Sequence, residues 1–265
     1  MRPSVYQCFH SKELRIIQNI SCVIIAKNAA ATLINTLDSL AHLDDIVIYS
    51  NGSTDKTEEI ALSYPNVNLV QGEFIGFGPS KNKAASFAKY NWILSLDADE
   101  VLSNEFIQNL RQTVLTENSI FTILRENYYQ STKIKHCWGQ DIIPRIYNKK
   151  KTAFTDKNVH ESIIDDSFNI KPINGTIKHY PYSTISDFII KLDRYSTLYA
   201  KDNTGKKSSS PLKALINAHF AFFKTYFLKR GFLDGYPGLL IAFSHMATTF
   251  YKHMKLYEIN KNLQQ

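Results

Sequence analysis

The spacing of apolar positions changes along the chain, and each change marks an element. Ile20-Ser21-Cys22-Val23-Ile24-Ile25-Ala26 is a nearly unbroken β-branched run, which predicts a first strand buried on both faces. Leu33, Leu37 and Leu40 share one face of a helix predicted over residues 32–40. Short apolar runs at 46–49, 67–70 and 92–96 predict three further strands. Between them, Ser53 or Asp55 caps a helix running to residue 62, and Pro79 suits the first turn of a helix reaching Lys89. Ser103 caps another helix, to about Leu115. Strand-helix alternation predicts a mostly parallel sheet with helices on both faces. Ligands of such a sheet bind beyond the carboxyl ends of its strands.

From Ile120 the rhythm breaks. Residues 120–125 predict one more strand, and then tyrosines, basic residues and turn signals run to Tyr182. This less regular half reads as the acceptor side of a two-substrate enzyme. Residues 186–202 are an amphipathic helix, with Phe188, Ile189, Leu192, Tyr195, Leu198 and Tyr199 at helical spacing. Residues 204–211 read as a Gly/Lys/Ser linker, and 212–257 are aromatic and basic. The organisation expected is an N-terminal segment at 1–19, an α/β domain at 20–203 with halves at 20–119 and 120–203, and a helical region at 204–265.

Composition narrows the setting. With 265 residues, 44% of them hydrophobic, the chain can bury one large core. Cys8, Cys22 and Cys137 are scattered and follow no metal-ligand spacing, which fits a reducing compartment. No signal-peptide pattern opens the chain, and no run reaches the ~18 apolar residues of a membrane span. The expectation is a cytoplasmic protein.

Charge is unevenly placed. The net charge of +7 resides in residues 201–265, which hold ten Lys/Arg against three Asp/Glu. A basic tail implies an anionic surface. Three readings follow: an interfacial membrane helix, a helical appendage packed on the domain, and a nucleic-acid surface. The last is the least favoured. Residues 212–257 are taken as the membrane-contacting part.

The candidate chemistry begins at Asp97-Ala98-Asp99-Glu100, directly after the run 92–96. Three carboxyls in four residues repel one another unless a positive group sits between them. Hard oxygen ligands at a strand end suit Mg²⁺ or Mn²⁺ carrying a phosphate, while the plainer reading is an acidic turn capping the next helix. The ends of the first two strands, Ala26-Lys27-Asn28 and Ser50-Asn51-Gly52, would share the same rim, as would Lys81.

These motifs in this order, together with Lys81-Asn82 and Trp92-Ile93-Leu94, resemble the family-2 inverting glycosyltransferases. Further on, Trp138-Gly139-Gln140-Asp141, Arg145-Ile146-Tyr147, Val159-His160-Glu161, His179-Tyr180 and Lys229-Arg230-Gly231-Phe232-Leu233-Asp234-Gly235 resemble the branch that glucosylates inner-core heptose of lipopolysaccharide. The resemblance implies a GT-A fold with a C-terminal helical appendage, a UDP-sugar donor and a lipid-anchored oligosaccharide acceptor. It implies a protein held on the cytoplasmic face of the inner membrane. It places Ala26, Asn28, Ser50, Asn51, Lys81, Asp97 and Arg145 at the nucleotide-sugar, and Asp99 on Mg²⁺ or Mn²⁺. It makes Glu161 the general base, with Asp141 as the alternative. Transfer to a polyprenyl phosphate, or a silent scaffold of the same fold, remain the other readings. One departure stands out: the family usually has Asp where this chain has Ser50, so the base loses a charged acceptor worth about 1 kcal/mol.

Overall fold

The computed structural model describes Ile17, residues 19–156 and residues 161–263. The chain divides into two units, one of residues 1–124 and 142–177, the other of residues 125–141 and 178–265.

The first unit is built on a sheet. Strands β1 (Ile20–Ala26), β2 (Ile46–Ser50), β3 (Val67–Gln71) and β4 (Trp92–Asp97) lie parallel in the order β3-β2-β1-β4. Helices α1 (Leu33–Ser39), α2 (Thr57–Leu62) and α3 (Phe77–Ser86) connect them. After the short strand β5 (Glu100–Leu102) and helix α4 (Asn104–Gln112), the chain enters β6 (Ser119–Tyr129), β7 (Thr132–Lys133), β8 (Gln140–Asn148) and β9 (Asn169–Tyr182). β8 lies antiparallel to β4, pairing Ile93 with Tyr147 and Leu94 with Ile146.

The unbroken apolar run of β1 serves two cores. Ile20, Cys22 and Ile24 join Leu33 and Leu37 of α1 and Phe106 and Leu110 of α4. Val23 joins Ala84 and Ala85 of α3 with Ile93, Tyr147 and Phe154. Helices therefore cover both faces, as a parallel sheet requires.

The region read as irregular holds the longest strands, β6 and β9. β9 escaped the hydrophobic pattern because few of its residues are buried. Its Gly175, at φ +108°, lies where a Cβ would come within 2.4 Å of the Phe106 backbone nitrogen, so only glycine lets α4 start there.

In the second unit, β7 closes a hairpin onto β6. Helix α5 (Ile185–Asn203) starts with a capping box between Thr184 and Asp187. Helix α6 (Pro211–Phe223) runs into a π turn (Lys224–Leu228), a 3₁₀ turn (Gly231–Asp234) and helix α7 (Gly235–Asn262). The segment read as a linker is pinned to α7: Gly205 N–H donates to Asn260 Oδ1 at 3.0 Å, and the Ser209 hydroxyl donates to the His253 carbonyl at 2.8 Å. Among the described residues no helix is long and apolar enough to cross a membrane.

Candidate active site

Register places Ala26, Ser50 and Asp97 at one edge of the first unit. Ala26 pairs with Ser50, and Ile25 with both Tyr49 and Asp97, so three strand ends finish level. The loops beyond them are cross-tied. Asn28 turns the chain at φ +52°, and its Oδ1 accepts the Thr54 N–H at 2.8 Å. The Ala29 N–H donates to Thr57 Oγ1 at 2.7 Å, and the Ala30 N–H to Asp55 Oδ2 at 3.1 Å. Burial acts to raise the Asp55 pKa, but hydrogen bonds from Thr57 and Ala30 outweigh it and hold the carboxyl below its ordinary range. The Asn51 N–H donates to the Ala26 carbonyl, whereas the Asn51 side-chain Oδ1 is buried without a hydrogen-bond partner.

The acidic turn is anchored on its backbone. Thr32, just before α1, and Thr36 within it donate to the Ala98 carbonyl, at 2.8 and 3.1 Å, fixing the peptide between Asp97 and Asp99. The repulsion expected among the carboxyls is relieved by two cations of the protein itself. Arg145, reaching from β8, contacts Asp97 Oδ2 at 3.0 Å and pairs with the fully buried Glu100. Glu100 Oε2 also accepts the Asp97 N–H at 3.1 Å. Burial acts to lower the Arg145 pKa, but the charges of Glu100 and Asp97 outweigh it and raise the pKa, so the guanidinium stays ionised.

Lys81 of α3 is the second cation. Its Nζ lies 3.2 Å from Asp97 Oδ1 and 2.8 Å from Glu161 Oε1, with the lysine side chain only 5% exposed. Two neighbours set this geometry. Asn82 clamps Phe154, accepting its N–H and donating to its carbonyl, both at 2.9 Å. Gly78 allows α3 to lie against the segment leading to Glu161, since a Cβ there would come within 1.9 Å of the Thr155 carbonyl oxygen.

Lys81, Asp97, Arg145 and Glu161 thus form one ion-paired chain in the first unit, with Glu100, named in the sequence only as part of the acidic cluster, as an added member. Val159 and His160 lie outside the described residues. Asp141 belongs to the second unit, where its carboxylate accepts from Arg125 at 2.9 Å. Among the described residues no three His, Cys, Asp or Glu side chains are grouped to hold a metal. Asp99 offers hard oxygen, and an Mg²⁺ or Mn²⁺ that brings phosphate and water ligands needs only one or two protein carboxylates. Asp99 supplies one such carboxylate.

At Ser50 the structure adds a residue that sequence reasoning missed. The buried Ser50 hydroxyl donates to Glu58 Oε1 at 2.6 Å, and Gln71 donates to Glu58 Oε2 at 2.6 Å. A carboxylate therefore stands behind the serine. The signal was an acidic residue in the first turn of α2, facing back toward the end of β2.

The motif 229–235 acts within the second unit. Asp234 accepts the N–H groups of Lys135, His136 and Cys137 at 2.9, 3.1 and 2.8 Å, tying down the loop that leads to Trp138-Gly139-Gln140-Asp141.

Known proteins resemble this chain. An uncharacterized glycosyltransferase of Rickettsia bellii is 29% identical over 266 residues, covering 92% of this chain and 87% of its own. The lipopolysaccharide core biosynthesis glycosyltransferase LpsC of Rhizobium meliloti is 24% identical over 88% of this chain and 93% of its own. Among solved structures, S. aureus TarS 1-349 in complex with UDP is 13% identical with a TM-score of 0.44, covering 93% of this chain and 91% of that one. The sequence profile of Glycosyl transferase family 2 matches residues 21–173. The chain belongs to glycosyl transferase family 2, with the mixed α/β GT-A fold and a C-terminal helical region.

Proposed function

We propose that this chain is a metal-dependent inverting glycosyltransferase that moves a hexose, glucose from UDP-glucose, onto a lipid-linked lipopolysaccharide core. The observation that carries the reading is the ion-paired chain Glu161–Lys81–Asp97–Arg145 at the carboxyl edge of a parallel sheet. Membership of the family supports sugar transfer, and the likeness to a lipopolysaccharide core transferase supports the acceptor class.

In this reading Asp97, held from both sides by Lys81 and Arg145, faces the ribose and sugar of the donor. Arg145 is buried with two carboxylates, and its part is to orient Asp97. Asn51 Oδ1 offers a buried acceptor to the nucleoside. Glu58, behind Ser50, supplies the carboxylate that the base pocket otherwise lacks. Asp99 would hold Mg²⁺ or Mn²⁺, which when bound neutralises charge on the departing diphosphate. Glu161 takes the proton from the acceptor hydroxyl on the face opposite the leaving group, as inversion requires.

The second unit would bring the enzyme to its lipid-linked acceptor. Phe220, Phe223, Phe227, Phe232 and Leu233 are exposed, close in sequence to Lys224, Lys229 and Arg230. Exposed aromatics with lysines suit the headgroup region of an anionic bilayer.

The test is UDP release from a panel of UDP-sugars, with and without Mn²⁺, against extracted core oligosaccharide. Glu161→Gln should lower turnover about 10²–10⁴-fold with UDP binding intact. Asp99→Ala should abolish both turnover and metal-dependent UDP binding. Unchanged turnover in either variant would remove that residue's role.

A further inference from the structure

The π turn of the second unit builds a site that sugar transfer does not use. Its backbone closes from residue i to i+5, the Lys229 N–H donating to the Lys224 carbonyl at 2.8 Å. In an α-helix, residues five apart lie about 140° apart around the axis. The wider turn swings them toward one side. There Lys224 and Lys229 line a pocket of about 220 Å³ together with Thr225, His245, Thr248 and Thr249.

The lining has the chemistry of an anion site. It holds two ammonium groups and three hydroxyls, and no carboxylate. In sequence, Asp234 is the only acidic residue from 203 to 257, and it is already engaged by the N–H groups of 135–137. Neither Lys224 nor Lys229 forms an ion pair among the described residues. Thr225 Oγ1 and His245 Nδ1 lie 2.9 Å apart. Burial, and then the charge of Lys229, push the His245 pKa down to about 4, so the imidazole is neutral at pH 7 and the positive charge is that of the lysines. The pocket is below the ~300–1,000 Å³ typical of sites for larger organic ligands. It is roomy for one tetrahedral oxyanion, which ammonium and hydroxyl donors bind by charge-assisted hydrogen bonds.

We infer that this pocket binds a phosphate group, presented either by a lipid headgroup or as free phosphate. A headgroup at this pocket would deepen the membrane contact proposed above for Lys224 and Lys229 and rests on that reading, whereas free phosphate would not. Neither needs donor or acceptor sugar, so sugar transfer can fail while the site binds.

The full chain is titrated with inorganic phosphate by calorimetry. Separately, it is floated with phosphatidylcholine vesicles containing phosphatidic acid. Binding of phosphate alone assigns the site to the free ion, and binding of vesicles alone assigns it to the headgroup. In the arm that binds, Lys224→Gln/Lys229→Gln should weaken affinity at least about tenfold, the loss expected for charged hydrogen bonds. Lys206→Gln/Lys261→Gln removes the same charge outside the pocket and should change affinity less than about twofold. Thr249→Val keeps every charge and should also weaken binding, which separates a shaped site from general attraction. The inference is overturned if neither probe binds, if the two double variants weaken binding equally, or if Thr249→Val binds as the parent does.

Discussion

Two cation clusters, one in each unit, are treated in opposite ways. In the first, Lys81 and Arg145 each bridge two carboxylates and are almost wholly buried. In the second, Lys224 and Lys229 share one pocket wall without a carboxylate. Internally matched charge builds a rigid constellation whose groups are oriented before any substrate arrives. Unmatched charge leaves attraction directed outward, toward an anion the protein must meet.

The sharpest way to break this contrast is to unbalance the first unit. Arg145→Met would leave the fully buried Glu100 carboxyl without its guanidinium. Breaking a buried pair from one side costs about 3–5 kcal/mol, because the remaining charge has no water to return to. The urea midpoint should fall accordingly. Adding Glu100→Leu should recover most of the loss. A double variant no more stable than the single one would mean that the pair does not carry the stability.

The second unit has a pH signature instead. His245 titrates near 4 when folded and near 6.5 when free. Between those values the unfolded imidazole binds a proton and the folded one does not, so acid favours unfolding. The stability linked to His245 is complete above pH 6.5 and drains away toward pH 4, by on the order of 3 kcal/mol. His245→Asn should flatten the fall in urea midpoint across that window. Equal slopes for variant and parent would remove the buried imidazole as its cause.

A smaller effect is expected at Gly78. An added methyl would meet the Thr155 carbonyl, and such overpacking costs about 1–3 kcal/mol. Gly78→Ala should also displace Lys81 from Glu161, lowering turnover more than it lowers the urea midpoint. Parent-like turnover would show that the Gly78 contact does not set the Lys81–Glu161 pairing.

How much of this was legible in the sequence depended on what each residue's neighbours revealed. Three of the four parallel strands read cleanly because burial on both faces wrote them as apolar runs such as Ile20–Ala26, whereas β3 is an edge strand of half-buried and exposed residues that showed only as a short run. β9 did not, since its residues are mostly exposed or half-buried and carry no strong period. Of the candidate site, motif order brought Lys81, Asp97, Arg145 and Glu161 into one list, and the structure brings them into one chain of contacts. Glu58, and the pairing made by Glu100 of the acidic cluster, stayed hidden for a different reason. Each acts through a partner distant in sequence or lying across a strand end: Arg145 for Glu100, Ser50 and Gln71 for Glu58. The charge argument at 97–100 was sound in requiring a cation, but a protein cation answers it as well as a metal does.

The smallest prediction compares the units through a shared device. Ser103 caps α4 by accepting the Phe106 N–H at 3.2 Å, and Ser210 caps α6 by accepting the Lys213 N–H at 3.2 Å. Ser103 Oγ also accepts the Thr176 N–H of β9 at 2.9 Å, so it ties a helix to a sheet as well as starting the helix. Ser210→Ala removes only the cap, costing about 0.5–1 kcal/mol. Ser103→Ala removes the cap and strands a strand N–H, so its cost should be about 2 kcal/mol. Ser103→Gly, which spares most of the capping penalty, should keep the part owed to Thr176. If both alanine variants shift the urea midpoint equally, the bond from Thr176 adds nothing. The internal matching around Lys81 and Arg145 would then be a property of their charges alone.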